Sequence, residues 1–120
     1  MKKTLILLSI LFTFNLAQSQ NYKYGAVFTS TMFVKLSGNI KISDSIVTIS
    51  TIDKNGIEQT NTYTFVKTAN RITYFTDGVT TYSMYINNES GKKKGFEYDT
   101  LITWKIDATN YLMYYAKKED

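Results

Sequence analysis

From Phe96 to Ile106 the chain alternates with period two: Phe96, Tyr98, Thr100, Ile102, Trp104 and Ile106 take one parity, and Glu97, Asp99, Leu101, Thr103 and Lys105 the other. Such alternation belongs to a strand with one face buried and one face wet, because successive side chains of a strand point to opposite sides. A helix would spread the same residues around its whole circumference. A straight strand of this length would span about 36 Å, and ordinary strands hold about five or six residues. A bend or bulge near Asp99 is therefore expected. After Asp107-Ala108-Thr109-Asn110 the chain returns. The expected register sets Tyr111 opposite Ile106, Met113 opposite Trp104 and Tyr115 opposite Ile102, which leaves Leu112 and Tyr114 on the outer face with Leu101.

Three turn signals organise the middle of the chain. Around Asp44-Ser45 the flanks pair as Ile42 with Val47 and Ile40 with Ile49. Asp53-Lys54-Asn55-Gly56 is a hairpin signal because Asn and Gly tolerate positive φ. A three-residue loop with Gly56 in the left-handed position sets Val47 opposite Tyr63, with Phe65 beyond. That register gathers Ile40, Ile42, Val47, Ile49, Tyr63 and Phe65 on one face, whereas a slip of one residue would scatter them. Asp77-Gly78 joins a third pair of strands that is apolar on both faces. Phe75, Tyr82, Met84 and Ile86 lie on one side and Ile72, Tyr74, Val79 and Tyr85 on the other. Which side faces inward is ambiguous: strands apolar on both faces are either sandwiched between layers or expose a sticky surface, and a second layer over the outer side is the expected explanation of the two.

Composition agrees with strand throughout. Ten Tyr and seventeen Thr accompany six Gly and no Pro, a usage that suits pleated, half-buried surfaces. About eight strands are expected, near 25–35, 37–43, 46–53, 57–67, 71–76, 79–87, 95–106 and 110–116. The links are too short for parallel crossovers. The fold class is thus all-β: an antiparallel meander forming a small barrel or a two-sheet sandwich.

Residues 1–19 have a different character. Lys2 and Lys3 precede an apolar run from Leu5 to Leu16, and Ala17-Gln18-Ser19 offers small residues at a cleavage site. This is the pattern of a signal peptide, and the run is shorter than the roughly 20 apolar residues that span a bilayer. The expected product is a periplasmic or secreted protein starting at Gln20, with residues 20–120 as one domain. The chain has no Cys, so neither a lipid-anchored cysteine nor a disulfide is expected. Without Lys2 and Lys3, twelve basic face ten acidic side chains, too small an excess to suggest nucleic acid as a partner. A transmembrane barrel is not expected either, since eight spanning strands with their loops hardly fit in about 100 residues.

The absence of His and Cys excludes Ser-His-Asp and Cys-His catalysis and His- or Cys-based zinc sites. No cofactor is expected. Glu97 and Asp99 share a strand face and could in principle serve paired-carboxylate chemistry, but their alternation with apolar residues marks them as the wet side of the strand. Lys92, Lys93 and Lys94 form a basic run in the polar stretch 87–95. Asp44-Ser45-Ile46 has the Asp-Ser-apolar pattern of bacterial O-glycosylation, with Ser45 as acceptor in a turn. Asp99-Thr100-Leu101 has the same pattern, but its Thr faces inward. Asn88-Glu89-Ser90 has the N-glycosylation pattern.

The expected architecture is similar in outline to lipocalin-like small barrels. Their Gly-x-Trp near the first strand has no counterpart, the nearest position being Gly25-Ala26-Val27, so their ligand binding does not carry over. Two functions follow from the residues. The first is a non-enzymatic envelope or secreted interaction protein with a protein or glycan partner. It would use the outer patch of Leu101, Leu112 and Tyr114 with Lys105 at its rim. The second is a carrier of a small apolar ligand or glycan in an aromatic-lined barrel cavity. Where the surplus aromatic side chains point separates the two.

Overall fold

The computed structural model of the protein describes residues 20–119; the expected signal peptide and cleavage site lie outside them. The described residues form nine strands: β1 (Gln20–Phe28), β2 (Phe33–Val34), β3 (Ser37–Ile42), β4 (Ile46–Ile52), β5 (Glu58–Ala69), β6 (Ile72–Thr76), β7 (Thr81–Lys93), β8 (Phe96–Lys105) and β9 (Tyr111–Glu119). All pairings are antiparallel between sequence neighbours, except that β1 pairs with β2, β3 and β9. The β1–β9 ladder closes the meander into a ring. β2 and β3 lie one after the other along the same side of β1, so the ring has eight staves, one of them broken. The expected first strand at 25–35 is in fact β1 and β2, interrupted at 29–32.

Turn chemistry sets the first registers as the sequence suggests. Ile42 faces Val47 and Ile40 faces Ile49, and Val47 faces Tyr63. The second hairpin closes through Asp53, whose carboxylate accepts from the amides of Asn55 and Ile57 at 2.8 and 2.9 Å, while Gly56 takes φ 81°. Across the Asp77-Gly78 turn, Phe75 faces Tyr82. Phe75, Tyr82, Met84 and Ile86 point inward. The layer expected over the outer side is not found among the described residues: Val79 is 93% exposed and Tyr85 40%.

The last hairpin departs from expectation by one residue. Trp104 faces Leu112, Ile102 faces Tyr114 and Thr103 faces Met113. The reason lies in the loop. Asp107 accepts from the amides of Thr109 and Asn110 at 2.9 and 2.8 Å, and Ile106 donates to the Asn110 carbonyl at 2.9 Å. This side-chain cap closes the turn one residue tighter than the four-residue loop the sequence suggested. A one-residue slip exchanges the two faces, so Leu112 and Tyr114 turn into the barrel.

The interior is solid at mid-height. Tyr24, Val27, Ile40, Val47, Ile102, Tyr114 and Ala116 are buried in one cluster. A second cluster of Ala26, Leu101 and Tyr115 lies on the outside of the wall. It is covered by the tip of the β7–β8 hairpin, which β-bulge geometry folds over: the register shifts between Asn88 and Gly91, across from the Asp99 bend. Tyr98 then packs on Tyr115 with centroids 4.8 Å apart. A Cβ at Gly25 would strike the Phe96 ring.

Candidate functional site

Because neighbouring strands are antiparallel, the loops sort to two ends. Gln20, Glu119 and the β3–β4, β5–β6 and β7–β8 turns mark one end; the β1–β2, β4–β5, β6–β7 and β8–β9 loops mark the far end. Interior positions near the far end hold aromatic side chains from three separate strands. The β4–β5 register turns Tyr63 inward, the Asp77 turn brings Tyr82 beside it, and the long alternation of β8 delivers Trp104.

These three rings form a compact group. Tyr82 stacks on Trp104 at 5.2 Å and 20°, and Tyr63 meets Trp104 at 4.8 Å and Tyr82 edge-on at 5.1 Å. They line an open cleft of about 330 Å³ with Leu112, Ile106 and Tyr111 and the polar side chains of Thr29, Ser30 and Asn110. That volume is at the small end of the range for ligand pockets. Ser30 sits on the rim with φ 68°, a left-handed conformation uncommon outside glycine.

The polar tips are held in place. The Tyr82 hydroxyl donates to Asp77 at 3.1 Å, and Asp77 in turn accepts from the amides of Thr80 and Val79 at 2.8 and 2.9 Å. Those backbone amides hold the Asp77 carboxyl below its ordinary value. Burial, then the nearby Tyr82 and Asp77, push Tyr63 up, and burial with the Asp77 bond does the same for Tyr82. Both phenols therefore stay protonated at neutral pH and can donate or accept hydrogen bonds. Trp104 itself is buried, 4% exposed, and stacks on Phe75 at 6.0 Å and 26° as well as on Tyr82. It therefore backs the cleft, and the surfaces open to a ligand are those of the half-buried Tyr63 and Tyr82, with their neutral polar tips, and of Leu112.

A second cleft of about 390 Å³ lies at the terminal end, lined by Ile42, Phe65, Phe75, Met84 and Ile86 with Ser43, Asp44, Thr68 and Thr73 on its margin. Although larger, it has no stacked pair. Its two rings, Phe65 and Phe75, meet edge-on at 6.2 Å. The far-end cleft is the better recognition site because its faces and polar tips converge.

The outer patch expected from the sequence is not assembled. Leu112 and Tyr114 face the interior, while Leu101 points outward but is buried beneath the β7–β8 tip with Tyr115. Lys105 is exposed on the outer face, opposite Ser83, in a shallow groove with Ile72 and Tyr85. The basic run divides: Lys92 and Lys94 are exposed, whereas the Lys93 ammonium lies over the Phe33 ring at 4.7 Å and the Tyr115 ring at 5.6 Å. Ser45 is exposed in the β3–β4 turn, and its carbonyl accepts from Phe65 at 2.8 Å. Asp99 is tied to β9, accepting from the Lys118 amide at 3.0 Å. Burial raises its carboxyl, but that amide, the Thr100 hydroxyl and the Lys117 charge outweigh it and hold the group low. Glu97 stands exposed beyond the bend.

Sequence reasoning counted Trp104 and Tyr63 among inward side chains, left the inward face of the Tyr82 strand open, and did not gather the three into one site. The missing information was which end of the barrel each reaches. The Asp77-Gly78 turn carried part of it, since it fixes Tyr82 next to the far-end loop.

Among the described residues no group of three or more His, Cys, Asp or Glu side chains could hold a metal ion, and no helix is long and apolar enough to cross a membrane. The chain matches no protein-family model, no curated protein and no solved structure.

Proposed function

We propose that the protein is a non-enzymatic exported binding protein that takes a saccharide ring in its far-end cleft. The observation that carries this reading is the open cleft in which Tyr82, backed by the buried Trp104, and Tyr63 present half-buried rings. A sugar has an apolar C–H face and a girdle of hydroxyls. Rings with polar tips match both, and Thr29, Ser30 and Asn110 supply further hydrogen-bonding groups at the margin. A deep cavity for a wholly apolar ligand has no room at mid-height, where Tyr24, Ile40 and Tyr114 fill the interior. One sugar ring against two or three aromatic side chains corresponds to an affinity on the order of millimolar.

Affinity electrophoresis through gels containing soluble polysaccharides tests this. Retardation by at least one polysaccharide is expected for the protein, and its loss for Tyr82→Ala, whose half-exposed ring can go without collapse of the core. Equal mobility of the protein and Tyr82→Ala in every gel would contradict it.

A further inference from the structure

The two ends of the barrel differ in their loops. Each of the four far-end loops or its flank exposes an aliphatic side chain. Met32 in β1–β2 is 57% exposed, Ile57 in β4–β5 is 59%, Val79 in β6–β7 is 93% and Ile106 in β8–β9 is 53%. The turns at the other end, Ser43–Ser45, Asn70-Arg71 and Lys94-Gly95, are polar, and the exposed aliphatic side chain that flanks them, Ile46, is only 39% exposed. Leaving four large aliphatic side chains in water at one end, one per loop, is not a by-product of core packing, since none of the four belongs to the core clusters. Exposed apolar groups gathered in one region mark a contact surface.

Three of the four loops that carry these tips are braced by an aspartate. Asp53, Asp77 and Asp107 each turn their carboxylate back onto the amides of their own loop. Three of the four acidic groups of this end are thereby engaged in the turns that present the apolar residues. Charge is also sparse here. Among the described residues, Lys35, Lys54 and Lys105 stand against Asp53, Glu58, Asp77 and Asp107. Both described termini lie at the opposite end.

We infer that the far end docks on a lipid bilayer, with Met32, Ile57, Val79 and Ile106 entering the interface, and that the saccharide bound in the cleft is one displayed on a lipid. Separate aliphatic tips around a recessed cleft suit a soft surface into which each can sink independently. A rigid protein partner would call for a continuous flat patch with a polar rim. The near-neutral charge balance at this end favours uncharged lipid over a strongly anionic membrane. Ile106 belongs both to the tips and to the cleft lining, so a sugar head group standing on the bilayer would meet Tyr82 and Tyr63 as the tips seat. The second half of this inference rests on the saccharide reading; the docking does not.

Co-sedimentation with phosphatidylcholine vesicles, with and without a glycolipid, separates the two. The protein is expected to sediment with plain phosphatidylcholine and more strongly when a glycolipid is included. Ile57→Asp with Val79→Asp, both on exposed side chains and checked by circular dichroism, should lower the partition coefficient about tenfold per replaced tip, from loss of aliphatic burial. The same variant should keep its retardation in polysaccharide gels. Tyr82→Ala should do the reverse, losing the glycolipid increment while still sedimenting with plain vesicles. No binding to plain vesicles, or equal binding by the Asp variant, overturns the docking and leaves the saccharide site standing. If the tips instead join two copies of the chain, analytical ultracentrifugation will show a dimer that the Asp variant dissociates, with no vesicle binding, and the inference fails.

Discussion

The phenol of Tyr24 in β1 donates a hydrogen bond to the carbonyl of Ser50 in β4, 2.8 Å away, passing over Gly38 of the strand between them. The Thr51 hydroxyl lies 2.9 Å from the same phenol oxygen. A Cβ at position 38 would strike both the phenol and the Ser50 carbonyl. The glycine is thus required by close approach, and the tyrosine fills the space it leaves. Gly38→Ala should cost about 3 kcal/mol by overpacking, and Tyr24→Phe about 1 kcal/mol for the lost hydrogen bond. Urea denaturation of both variants checks this, and a larger cost for Tyr24→Phe would contradict it.

The register of the last hairpin makes a sharp prediction. Tyr114 is buried against Tyr24, with ring centroids 4.8 Å apart, so Tyr114→Ala should cost about 3–5 kcal/mol. Leu112→Ser with Tyr114→Ser should abolish the fold by circular dichroism. Thr103→Ala, on the outer wall, should cost less than about 1 kcal/mol. A folded double variant with unchanged melting temperature would restore the register in which Tyr115 faces Ile102.

What the sequence made legible was local. The Asp44 and Asp53–Gly56 turns state their own geometry, and the registers of Ile40, Val47 and Tyr63 follow from them. The alternation of β8 identified Ile102 and Trp104 as inward and placed a distortion at Asp99, which the structure realises as a bulge on the facing strand. The last hairpin failed because its register depends on how tightly one carboxylate, that of Asp107, caps the loop, and hydrophobic pattern does not encode this. The break between β1 and β2 and the folding of the β7–β8 tip onto Gly25 arise from contacts between distant segments. The aromatic cleft was hidden for the same reason. Tyr63, Tyr82 and Trp104 meet only once the ring closes.

The fold of the β7–β8 tip depends on Gly25, over which the Phe96 ring lies. Gly25→Ala should lift residues 89–98 from the wall, exposing Leu101 and Tyr115. Amide hydrogen exchange should rise in that tip while β3, β4 and β5 keep their protection. Uniform loss of protection across the barrel would show instead that the tip is part of the global fold.

Acid should loosen the far end first. The Asn110 side chain, with the amides of Thr109 and Asn110, lowers Asp107 to about 2. Its unfolded value is about 3.9. A depressed folded value means the stabilisation is fully present above the unfolded value and is lost as pH falls through about 2. Asp77 acts in the same direction. The melting temperature should therefore fall between pH 4 and pH 2, and Asp107→Asn, which cannot titrate, should flatten that fall. An identical pH profile for the variant would remove Asp107 from the account.

Trp104 is the only tryptophan in the chain and, from the core, backs the proposed saccharide cleft in contact with Tyr82 and Tyr63, so its fluorescence responds to changes at those two rings. Titration with soluble saccharides, including glucose, mannose and N-acetylglucosamine, up to about 50 mM covers the millimolar range expected of one stacked ring. The account predicts a saturable change in Trp104 emission with at least one of them, absent in Tyr82→Ala. Emission that stays constant across all of them, while polysaccharide gels still retard the protein, would place sugar binding elsewhere and contradict the assignment of the Tyr63–Tyr82–Trp104 cleft.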